Sequence, residues 1–108
     1  PNVGSFFKNP VVIQDKLEEL IALSSAIPSY PQANGTVKLP AAWLIDQCGW
    51  KGKRVGCFGV HPEHALVLVN YGGGSGSELL ELAKKISSSV KETYKIQLEI
   101  EPRVYGLE

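Results

Sequence analysis

The sequence contains no methionine and only two cysteines, and its 11 Lys and Arg are cancelled by 11 Asp and Glu. Each shortage removes a class of protein. Two cysteines, Cys48 and Cys57, cannot build the disulfide framework of a small secreted domain. At most one bridge is open to them, and a reducing cytoplasm is the expected compartment. A net charge of zero argues against nucleic-acid and anionic membrane partners, whose binding rests on excess positive charge. No apolar run approaches the roughly 20 residues that span a bilayer. The opening PNVGSFFKNP lacks the charged-then-apolar layout of a secretory signal. The missing methionine, with Pro1 in first position, fits either removal of an initiator or excision from a longer protein.

What remains is ordinary globular material: 108 residues, 44% hydrophobic and 20% charged. A chain of this size buries roughly two thirds of its unfolded surface. The expected fold class is α+β, a single small domain with a mixed sheet and helices packed on one face. Leu17, Leu20, Ile21 and Ser24 share one face of a predicted helix opening at Asp15 and stopped by Pro28, with Asp15 and Glu18 at capping-box spacing. Asn34-Gly35 predicts a tight turn. Pro40 suits the first turn of a short helix carrying Trp43, Leu44 and Cys48, with Gly49 ending it. Val55–Val60 and Ala65–Val69 read as strands, the second buried on both faces. Leu79, Leu82, Ala83, Ile86 and Val90 stripe a long helix. Ile96, Leu98 and Ile100 alternate with Gln97, Glu99 and Glu101 as in a final strand.

Several clusters invite a function, and most have a plainer reading. Tyr71-Gly72-Gly73-Gly74-Ser75-Gly76-Ser77-Glu78 lies between strand and helix, where a phosphate loop would. It lacks the Gly-Lys-Ser/Thr ending of a Walker loop, and Leu79 stands where a dinucleotide fingerprint needs Gly or Ala. Ser75 and Glu78 instead have capping-box spacing. His61 and His64 with the two cysteines do not match the paired spacing of structural zinc. Lys51, Lys53 and Arg54 read as a solvated basic face or as a complement to a diphosphate. Gln97, Glu99, Glu101 and Arg103 form a polar edge able to line a cleft.

Three segments together carry a resemblance: Gly4-Ser5-Phe6-Phe7-Lys8-Asn9-Pro10-Val11-Val12, Ala41-Ala42-Trp43-Leu44-Ile45-Asp46-Gln47-Cys48-Gly49 on through Lys51-Gly52, and Leu98-Glu99-Ile100-Glu101-Pro102-Arg103-Val104-Tyr105-Gly106. Over essentially its whole length the chain resembles the C-terminal, substrate-binding domain of the UDP-N-acetylenolpyruvoylglucosamine reductases, also called UDP-N-acetylmuramate dehydrogenases. The resemblance implies one domain, residues 1–108, of a larger cytoplasmic flavoenzyme of peptidoglycan precursor synthesis. NADPH and FAD are its cofactors, held mainly by two preceding domains and not expected in this chain. Its partners are then the enolpyruvyl ether of UDP-N-acetylglucosamine, as substrate, and the enzyme's own FAD-binding domains.

Residue by residue, the resemblance casts Ser5 as the donor that protonates the carbon next to the substrate carboxylate. It casts Glu101 as the glutamate that helps stabilise the enol intermediate. Asn9, Tyr30 and Lys38 match positions that contact the substrate's nucleotide and diphosphate. His64 stands where relatives carry an amide such as Gln, and Pro102 where an apolar residue is expected. The alternative from another class is a free-standing, non-catalytic module that holds a nucleotide-sugar or a protein on the same scaffold.

Overall fold

The computed structural model describes residues 2–101, and of residues 2–5 the backbone course alone. The polar-edge residue Arg103 and the Pro102–Gly106 part of the third segment lie outside the described residues. The α+β expectation holds, but one mixed sheet does not form. The described strands make two antiparallel sheets. One has the order β1 (Asn2–Ser5), β7 (Val67–Asn70), β6 (Phe58–Val60), β5 (Arg54–Val55). The other has the order β2 (Val11–Val12), β4 (Val37–Lys38), β3 (Tyr30–Pro31). The reason is connection length. A parallel pair needs a crossover of a dozen residues or more, whereas β5 turns into β6 through Gly56-Cys57 alone. The expected 55–60 strand is therefore a hairpin.

Three helices are described: α1 (Gln14–Leu23), α2 (Ala41–Gln47) and α3 (Gly76–Tyr94). α3 lies on β6 and against α2. It buries Leu79, Leu82, Ala83, Ile86, Val90 and Tyr94, the predicted stripe plus one more turn. These join Phe6, Leu20, Leu44, Ile45, Val60 and Leu68, all fully buried, in one core. Ser75 and Glu78 close a reciprocal capping box on the first turn of α3, as their spacing predicted. The Asp15–Glu18 box does not form: α1 begins one residue early, with Ile13 as its unassisted cap. Asp15 is thereby inside the first turn, where its charge still complements the helix dipole. α1 ends at Leu23, short of Pro28.

Two glycines are placed by geometry. Gly49 follows α2 at φ +83°, the left-handed conformation expected of a terminator. A Cβ on Gly74 would stand 2.2 Å from the Phe58 ring, so the glycine-rich turn is pressed onto the sheet. Ile96–Glu101 does not become a full strand. Its strand-type pairing among the described residues is one bridge, Phe7 to Ile100, flanked by Lys8 N–H to Glu99 O and Glu101 N–H to Phe6 O, each 2.8 Å. Alternation survives at Ile96 and Leu98, which are buried, but Ile100 is 40% exposed.

Candidate functional site

The three-stranded sheet decides which side chains meet. Val11 pairs with Lys38 and Lys38 with Tyr30, so these three project from one face in a row. Val12, Val37 and Pro31 form the opposite row, where Val37 is buried in the core. The hairpin joining β3 to β4 turns at Asn34-Gly35 as predicted: Asn34 Oδ1 accepts from the Thr36 N–H at 3.2 Å, and Gly35 has φ +83°. Tyr30, 55% exposed, thus stands beside Lys38 on the wet face. Neither the Tyr30 hydroxyl nor the Lys38 ammonium has a partner among the described residues.

Beside this row runs a groove of about 830 Å³. Lys8, Asn9, Lys16 and Lys38 line it from the N-terminal part of the chain. Lys95, Gln97, Glu99 and Glu101 line it from the segment after α3. Four ammonium groups and two carboxylates thus line it, and Lys16 is paired with Glu19 at 3.8 Å. Lys8 and Glu99 form an ion pair at 3.7 Å, exposed enough to contribute little to stability. The anticipated polar edge of Gln97, Glu99 and Glu101 does line a cleft.

Of the five residues singled out in the sequence, Asn9, Lys38 and Glu101 share the groove and Tyr30 adjoins it. Ser5 is placed by its backbone, opposite Val67 across the β1–β7 pair; its side chain lies outside what is described. Lys8, Lys16 and Lys95 were not singled out. Only Lys8 had a signal, its place in GSFFKNP.

The remaining clusters disperse. Lys51 pairs with Asp46 at 3.3 Å, Lys53 lies over the Trp50 ring, and Arg54 stacks on Tyr71, so the basic cluster is spent on local contacts. His61 and His64 stack with ring centres 4.9 Å apart, and His64 lines a second, smaller cleft with Trp43, Asp46 and Lys51. No group of three or more potential ligands for a metal is present among the described residues. Cys48 and Cys57 are both free and half-buried, packed against the core. Burial pushes the Tyr94 phenol above its ordinary pKa, with Cys48 adding to the effect. No described helix is long and apolar enough to cross a membrane.

Fold and groove together define a small α+β domain with a lysine-lined groove. Comparison with known proteins makes this specific. Residues 1–105 match the model of the family described as UDP-N-acetylenolpyruvoylglucosamine reductase, C-terminal domain. The chain belongs to that family. It is 55% identical over 106 residues to the UDP-N-acetylenolpyruvoylglucosamine reductase of Xanthomonas oryzae pv. oryzae, covering 97% of this chain and 31% of the relative. The like-named proteins of Paraburkholderia phymatum and Pseudomonas putida are 55% and 52% identical, over 94% and 96% of the chain. The chain spans about three tenths of the length of these relatives.

Proposed function

We propose that residues 1–108 form the substrate-holding domain of an FAD- and NADPH-dependent reductase converting UDP-N-acetylenolpyruvoylglucosamine to UDP-N-acetylmuramate. The setting is cytoplasmic peptidoglycan precursor synthesis, on which cell-wall biogenesis, shape and division depend. The observation that carries this reading is the register that sets Tyr30 beside Lys38, next to a groove that also receives Asn9 and Glu101.

The glycine-rich turn does not fit a cofactor diphosphate. At the N-terminus of α3 the glycine-rich turn already holds the Glu78 carboxylate, and a diphosphate placed there would meet like charge. In this reading both cofactors belong to the additional length that the relatives carry.

The chain's own residues divide the work. Lys38 offers charge-assisted hydrogen bonds to the diphosphate, and the Tyr30 ring and hydroxyl cover it. Reduction of the enolpyruvyl double bond adds a hydride to one carbon and a proton to its neighbour. The Ser5 hydroxyl gives that proton, and Glu101, near the substrate carboxylate, stabilises the enol before it arrives.

Each charged hydrogen bond contributes about 1.5–3 kcal/mol, offset by ordering of the exposed Tyr30 hairpin. Titrating the ¹⁵N-labelled chain with UDP-N-acetylglucosamine should therefore shift the amides of Asn9, Tyr30, Lys38 and Glu101 with roughly millimolar affinity. Shifts confined to the glycine-rich turn, or none, would overturn the reading.

A further inference from the structure

The single Asn-Gly step in the sequence is Asn34-Gly35, and the hairpin tip arranges it for a reaction of the chain with itself. Both residues are exposed. Asn34 Oδ1 accepts from the Thr36 N–H at 3.2 Å and from the Thr36 hydroxyl. These bonds draw the side chain forward across the intervening Gly35 amide and withdraw electrons from its carbonyl carbon, Cγ. Gly35 has no side chain to shield its nitrogen, and nothing lies within 4 Å of its missing Cβ. One contact holds that nitrogen back: its N–H donates to Gln32 O at 3.2 Å, at the long end for such a bond. The turn joins strands of two residues each, which open at little cost.

The other asparagines each lack a part of this arrangement. Asn70 makes the same turn, its Oδ1 accepting from the Gly72 N–H at 2.8 Å. Its neighbour, however, is Tyr71, whose side chain shields the nitrogen and whose N–H is bonded to Cys57 O at 2.7 Å. Asn9 precedes a proline, which has no N–H, and Asn2 precedes β-branched Val3.

We propose that Asn34 is a site of spontaneous isoaspartate formation in the folded chain. The Gly35 nitrogen gives its proton to solvent base and bonds to Asn34 Cγ. The Cγ–Nδ2 bond breaks, and ammonia leaves with a proton taken from water. Water then opens the cyclic imide. Attack at Cγ gives aspartate; attack at the main-chain carbonyl gives isoaspartate, with the chain rerouted through Cβ and Cγ. No reactant other than water is consumed. Isoaspartate lengthens the main chain by a methylene and adds a negative charge, between Tyr30-Pro31 and their partners Lys38 and Val37. The pairing that sets Tyr30 beside Lys38 is then lost, while the core under α3 stays packed.

Ageing the native chain in ¹⁸O-labelled water at mildly alkaline pH, then digesting it with trypsin in ordinary water, tests this. The peptide Leu17–Lys38 should exchange NH₂ for ¹⁸OH and split into isoaspartyl and aspartyl forms, faster at higher pH. The peptide carrying Asn70 should not change. In the aged protein the Tyr30 and Lys38 amide resonances should move, with the thermal midpoint native. A Leu17–Lys38 peptide that keeps its amide, or that gives aspartate alone, overturns the site. Equal conversion at Asn70 overturns the selection by Gly35. Unmoved Tyr30 and Lys38 amides in a converted chain overturn the loss of pairing.

Discussion

The two sheets of this domain are built on opposite terms. The four-stranded sheet lies under α3 and is held by apolar side chains, several of them fully buried, with no polar or charged residue buried among the described ones. The three-stranded sheet has two residues per strand, buries one face through Val37, and leaves Val11, Lys38 and Tyr30 to solvent. Strands so short are not stable by themselves; the second sheet is held in place by the core of the first. The lesson is a division of labour. On the proposed reading, exposed groove side chains can be changed without unfolding the packed half, and a packed half that is weakened but still folded should keep the groove.

Truncation in the packed half should give the largest effect. Ile86 is fully buried on α3, and Ile86→Ala should cost about 2–5 kcal/mol by chemical denaturation, through lost transfer energy and the cavity left behind. Under native conditions the groove amides should still respond to UDP-N-acetylglucosamine. Loss of that response in a folded variant would break the division.

Ser5 tests the seam, because its backbone belongs to the packed sheet while its hydroxyl is assigned to chemistry. In the longer reductase, Ser5→Ala should leave flavin reduction by NADPH and the thermal midpoint unchanged. Reoxidation by the enolpyruvyl substrate should slow at least about a hundredfold, the scale of a lost proton donor. Stopped-flow absorbance separates the two halves. Equal slowing of both would make Ser5 a strand residue and nothing more.

The smallest effect concerns Tyr94, whose phenol is raised by burial first and by Cys48 second. Folding favours the protonated phenol, so its contribution is fully present below the unfolded pKa of 10.0 and is lost as pH rises beyond it. Denaturation midpoints should decline above about pH 10, and less steeply in Tyr94→Phe. An unchanged alkaline slope would remove Tyr94 from the packed half's account.

The same contrast explains what was legible in the sequence. The start and buried stripe of α3 were legible, because a capping box marks its first turn and the periodicity reports burial on one face, while its last turn through Tyr94 was not. α2 with Gly49 and the Asn34-Gly35 turn were legible for the same local reasons. Sheet pairing was not: the interleaved helices suggested mixed strands, and nothing local says that 54–60 folds back as a hairpin. In the site, Asn9, Tyr30, Lys38 and Glu101 came from a resemblance rather than from spacing. Their convergence depends on register across β2, β4 and β3, and on a segment that returns some ninety residues later. The arrival of Lys16 and Lys95 was invisible for that reason.

The contact between Gly74 and Phe58 bears on how this chain can be engineered. A run such as GGGSG is where a molecular biologist would place a fluorophore, a protease site or an inserted loop. Here position 74 is closed to that choice, because any side chain there drives into the Phe58 ring and pries at the β6–β7 pair, whereas nothing lies within 4 Å of the missing Cβ of Gly72 or Gly73. Gly35 likewise has nothing within 4 Å of its missing Cβ, and it lies between the end of β3 at Pro31 and the start of β4 at Val37. Residues inserted between Asn34 and Gly35 would extend into solvent, at the expense of the Asn34 Oδ1–Thr36 N–H bond that closes the turn.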